Sequence, residues 1–120
     1  MVKLNVNGVE YGLRMDLYAM EQLEDQFGSM KDVFQKIQEG GSKMMRTLFR
    51  ILANAQLAYE GKEETVTGDE LKRLKVAALH GLSAAIQAAV EEGMKSETTG
   101  GEEADDEVFD VYLNEIESKN

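Results

Sequence analysis

The chain of 120 residues carries 23 acidic and 13 basic side chains, a formal charge of −10, and no cysteine. Its length suits one domain with a modest core, and the missing thiols exclude disulfides, thiolate metal sites and a cysteine nucleophile. The acidity is uneven: residues 1–90 hold 12 acids and 11 bases, whereas residues 91–120 hold 11 acids and 2 bases, and so balanced a body argues against contacts to nucleic-acid phosphates.

The first element is a hairpin. VKLNV and VEYGLRM flank Asn7-Gly8, the preferred pair for a two-residue type I′ turn. Pairing outward from that turn sets Val6 opposite Val9, Leu4 opposite Tyr11 and Val2 opposite Leu13 on one apolar face. An isolated hairpin is marginal in water, so that face must lie on helices.

Asp16 is the expected cap of the first helix, on which Leu17, Met20, Leu23, Glu24 and Phe27 follow helical spacing until Gly28 stops it. Ser29 to Asp32 then reads as an acidic capping box, opening a short helix with Met30, Val33, Phe34 and Ile37 on one face. Gly40-Gly41 ends it. From Ser42 a longer helix carries Met44, Leu48, Ile51, Leu52, Ala55 and Tyr59 on one stripe, and Lys62 to Val66 forms a polar connection.

Thr67-Gly68-Asp69-Glu70 reads as a second capping box, predicted to start the longest helix, running to about Gly93. Its stripe is Leu71, Leu74, Ala78, Leu82, Ala85, Ile86 and Ala89, and Gly81 within it suggests tight packing. Residues 95–107 are rich in Gly, Thr and acids and read as an acidic flexible linker. Residues 108–117 place Val108, Phe109, Tyr112, Leu113 and Ile116 on one face of a short helix, too short to stand alone, which either docks or awaits a partner. The fold expected is α+β and mainly α: an N-terminal β-hairpin packed on a bundle of about four helices over residues 1–94, followed by the acidic tail.

Few patterns carry chemistry. Glu21 and Glu24 lie three apart and could share a cation, but a carboxylate-bridged di-metal bundle needs ExxH pairs on two helices and the chain has one histidine. That residue, His80, falls on the expected wet face with Arg73 and Gln87. Phosphate-loop, dinucleotide, HExxH and GxSxG motifs are absent. No cofactor or metal is expected, and binding or assembly is the expected class rather than catalysis. No apolar run approaches the roughly 20 residues that cross a bilayer, so a soluble, intracellular protein without membrane partners is expected.

Two apolar features exceed the needs of a small core. Met45 and Phe49 sit about 100° from the main stripe of the third helix, as a partner-binding strip or as packing beneath the hairpin. The second feature is the tail segment with Val108, Phe109, Tyr112, Leu113 and Ile116.

The hairpin VNGVEYGLRM, then DLYAMEQLEDQFGSMKDVFQKI, then a helix pair joined through TGDEL together resemble the small tail assembly chaperones of siphophages, prophages and gene transfer agents, over about residues 1–93. The resemblance implies a protein that binds and solubilises the tape-measure protein in the host cytoplasm, passes it to tail-tube protein, and is absent from the finished virion. It also implies a longer frameshifted form in many members. Ser118-Lys119-Asn120 can be encoded through the slippery run A AAA AAY. Glu21 matches the family's acidic helix position, where a structural ion pair, for example to Arg14, is expected. Asn7, Gly8, Asp16, Gly28, Ser29 and Thr67 are turn and cap residues. Self-association is compatible with this role, and the alternative is an acidic interaction or inhibitor module acting through its C-terminal tail.

Overall fold

The computed structural model describes residues 1–95 and 107–111. It is mainly helical, with an N-terminal hairpin packed on four helices. Strands β1 (Val2–Val6) and β2 (Val9–Leu13) pair in the expected register, Val6 with Val9, Leu4 with Tyr11 and Val2 with Leu13. Asn7 at φ 50° and Gly8 at φ 96° supply the left-handed turn that the right-handed strand twist requires.

The first two helices begin where short polar side chains satisfy free backbone N–H groups. Asp16 Oδ1 accepts from Ala19 N at 3.0 Å to open α1 (Leu17–Phe27). Ser29 Oγ accepts from Asp32 N, and Asp32 returns the bond to Ser29 N, opening α2 (Met30–Glu39). Gly28, at φ 103°, makes the break between them. Helix α3 (Ser42–Tyr59) is the longest element, and it buries Leu48, Phe49, Ile51 and Leu52.

The long helix expected from Thr67 does not form. Residues 69–71 and 76–78 are single 3-10 turns, and the fourth helix, α4, spans Leu79–Met94. Glu70 folds back to accept from Gly68 N at 2.8 Å and Thr67 N at 3.2 Å, Gly68 is left-handed at φ 94°, and Lys75 is extended. A continuous helix would have put Lys72, Arg73 and Lys75 in its opening turns, at the positive end of its dipole. The turn instead drives Leu71 into the core at 4% exposure.

The tail segment is also not a helix where it is described. Glu107–Val111 forms a third strand, β3, parallel to β1, with Val6 opposite Val111 and Leu4 opposite Phe109, in the sheet order β2-β1-β3. An isolated short helix would carry an unfavourable nucleation cost, whereas a strand takes ready-made main-chain partners from β1. Phe109 and Val111 turn inward while Val108 and Asp110 face out, a two-residue alternation that suits a sheet face. Tyr112, Leu113 and Ile116 lie outside the described residues, as do residues 96–106 of the linker.

The two sides of the sheet are supported differently. α3 runs along β2: Arg14 N donates to the Leu52 carbonyl at 3.1 Å, and Tyr11 meets Phe49 edge to face at 5.1 Å. α4 packs beneath β1 and β3. A Cβ at Gly81 would make only ordinary contact with Val111 Cγ1, at 3.6 Å, so the close approach suggested for Gly81 occurs instead at Gly93, where a Cβ would overlap the Met15 carbonyl. The buried polar residue Asn54 clamps the loop after α3, donating to Val66 O at 2.8 Å and accepting from Val66 N at 2.9 Å. Both buried backbone groups are thereby paired.

Candidate partner-binding surface

Met45 and Phe49, the residues expected to offer an apolar strip, are 1% and 0% exposed. This corrects their reading as partner-binding residues in favour of the alternative, packing: both are core residues of α3, and Tyr11 of the hairpin is seated against the Phe49 ring. The tail segment is divided. Val108 is exposed, Phe109 is partly buried, and both belong to β3.

Glu21 and Glu24 are exposed on α1. The expected pairing of Glu21 with Arg14 is not formed, because Arg14 has nearer company. Its Nε donates to Asp16 Oδ2 at 2.9 Å, and its guanidinium lies 3.6 Å from the centre of the Tyr59 ring. Thr67 caps a single turn, its hydroxyl accepting from Asp69 N at 3.1 Å. His80 is exposed on α4, and among the described residues no three His, Asp or Glu side chains form a group able to hold a metal ion.

Exposed apolar side chains are found elsewhere, Val76, Val9 and Val108 among them, and three more come from the segments beside Arg14. Leu17 is 72% exposed, Tyr59 65% and Tyr18 43%. Leu17 and Tyr18 begin α1 directly after the Asp16 cap that holds Arg14, and Tyr59 ends α3 beneath the Arg14 guanidinium. Tyr18 is held in turn by Glu64 of the neighbouring loop, its hydroxyl donating to the two carboxylate oxygens at 2.7 and 2.9 Å. That carboxylate raises the Tyr18 pKa above its ordinary value, chiefly through the hydrogen bond. The result is an aromatic and aliphatic surface with an oriented guanidinium, a composition enriched where proteins bind proteins.

Sequence periodicity places Leu17 and Tyr59 on the apolar stripes of their helices and gives no sign that they are exposed. Both stand at a helix end, and that position was the available signal: Leu17 is the first residue of α1 and Tyr59 the last of α3.

A concavity of 420 Å³ lies between β2 and Gln56, with Lys3, Glu10, Glu60 and Lys62 on its walls. Gln56 Nε2 donates to Glu60 Oε2 at 2.7 Å, while Gln56 Oε1 has no protein partner. That bond, with Lys62, holds the Glu60 carboxyl below the usual range. The charges on its walls pair with one another, Lys3 with Glu10 and Lys62 with Glu60, so it presents no net sign to a ligand.

Comparison of the chain with protein families, with curated proteins and with solved structures finds no match.

Proposed function

We propose that this chain is a protein-binding subunit acting as a phage tail assembly chaperone, which keeps a long helical tape-measure protein soluble and brings it to tail-tube subunits in the host cytoplasm. The observation that carries the reading is the exposed group of Leu17, Tyr18 and Tyr59 around Arg14. Two of these residues open the segment DLYAMEQLEDQFGSMKDVFQKI on which the family resemblance rests. A small surface of this kind binds one stretch of helix weakly. Many copies along a long repetitive client hold it together by avidity, with no large interface on any one subunit. The concentration of acids in residues 91–120 gives a coated complex a self-repelling exterior that opposes aggregation.

The direct test is co-expression with the long helical protein that this reading expects to be encoded beside it. With the unaltered chain, the client is expected in the soluble fraction. With Leu17→Ser and Tyr59→Ser combined, it is expected in the pellet, although the variant itself stays folded because both positions are exposed. A client that partitions identically with both chains would remove the reading. The codons for Ser118 to Asn120 supply an independent check on the frameshifted form.

A further inference from the structure

The outer edge of β1 is a slot shaped for one extended segment. Its ladder is closed at both ends, by Glu107 N donating to Met1 O at 2.9 Å and by Asn7 N donating to Val111 O at 2.8 Å. Val111 is buried at 3% exposure against Gly81 of α4, and Phe109 lies partly buried two residues earlier. Val108 and Asp110 face outward, and Glu107 is exposed at the start of the strand.

The route into this slot is longer than it needs to be. α4 finishes beside the chain's first residue, where the Met1 amino group lies 3.0 Å from Glu92 Oε2. β3 begins beside the same residue, through the bond to Met1 O. Between Lys95 and Glu107 stand eleven residues, a length that reaches about 35–40 Å when extended. The connection therefore leaves α4 within a turn of the Met1 contact and returns beside Met1, although its length would reach a neighbouring molecule.

We propose that the slot on β1 is a strand acceptor between copies, taking residues 107–111 of a second subunit in exchange for its own, so that two chains form a reciprocal dimer. The donor needs no new complementarity, since the second copy brings the same Val111 to the same Val6. Each acceptor makes the same contacts whether its strand arrives from its own chain or from a neighbour, so concentration and the connection decide the outcome. The connection carries five acids, Glu97, Glu102, Glu103, Asp105 and Asp106, and two such segments crossing in a dimer repel each other. Added salt screens that repulsion and should favour exchange.

The absence of native cysteine makes the test direct. Lys3 and Val108 are register partners on the outward face, so a tagged Lys3→Cys chain is mixed with an untagged Val108→Cys chain and oxidised. The expected result is a mixed disulfide dimer several-fold above the yield from a Lys31→Cys and Val108→Cys control pair. It should rise with protein concentration and salt and disappear when Val111→Asp is added to the donor. A yield no higher than the control, or one unaffected by Val111→Asp, overturns the proposal. The full-length chain supplies a second measurement by light scattering: a dimer growing from micromolar to millimolar concentration and lost with Val111→Asp supports exchange, and a monomer throughout overturns it.

Discussion

β1 has two neighbours that share its backbone ladder but differ in what stands behind them. β2 follows after a two-residue turn and is backed along its length by α3, with the Tyr11–Phe49 ring contact and the Arg14–Leu52 backbone bond. β3 arrives only after four helices; like β2, which buries Leu13 and part of Tyr11, it turns Val111 and part of Phe109 into the core, but its backing comes from α4 and it is joined through an eleven-residue connection instead of a tight turn. Burying the two β3 side chains is worth about 3–4 kcal/mol, whereas ordering five residues costs roughly 1–2 kcal/mol each before hydrogen bonding is counted. Strand pairing alone therefore confers little stability, and the packing behind a strand decides whether it belongs to the cooperative unit.

The largest effect should come from the supported side. Phe49→Ala removes the ring that joins hairpin to α3 and is expected to cost about 3–5 kcal/mol, read as a fall in the denaturant midpoint with loss of amide protection across both hairpin strands. A fall in protection confined to α3 would show that the hairpin stands without it.

The comparison is sharpened by the pair Val6 and Val111, which face each other across the β1–β3 ladder. Val6→Ala leaves a cavity under both flanks and should cost about 2–3 kcal/mol. Val111→Ala should lower global stability by less than about 1 kcal/mol, because the strand detaches without leaving a packed void, and hydrogen exchange should accelerate at residues 107–111 alone. Equal midpoint shifts for the two variants would place β3 in the same cooperative unit as the hairpin and break the comparison.

The smallest effect is at Tyr18. Its hydrogen bond to Glu64 raises its pKa above 10.0 in the folded chain, so the associated stabilisation is complete below that pH and is lost as pH rises through the folded value. An ultraviolet difference titration should show Tyr18 ionising above its ordinary range, and Glu64→Gln should bring it back. An unchanged titration would mean that the contact does not persist in solution.

Much of the fold was legible because its signals are local. Asn7-Gly8 with its flanking alternation specified the hairpin and its register, and Asp16 and Ser29 marked the starts of α1 and α2. Periodicity also found the residues of the core, Leu23, Val33, Leu48, Leu82 and Ile86. It failed where two local tendencies compete. TGDELKRLKVAAL has the apolar spacing of a helix, but Glu70 satisfies the backbone of Thr67 and Gly68 locally and a cationic run follows. VFDV likewise fits either period over so few residues, and the partner that selects the strand is β1, at the far end of the chain.

The candidate surface was less legible than the fold. Spacing identifies residues that share a helix face, but it cannot tell which end of the face another element covers. Spacing thus leaves Phe49 open to a partner or to the hairpin, which buries it, and puts Leu17 and Tyr59 on apolar stripes although they stand in solvent. The sequence by itself determined the hairpin, the first three helices and the division between a balanced body and an acidic tail, since each depends on neighbours a few residues apart. Only the tertiary structure decided that Arg14 goes to Tyr59, that Gly93 lies against Met15, and that the tail returns as a strand beside β1. Those choices pit contacts between distant segments against one another, and chain spacing does not rank them.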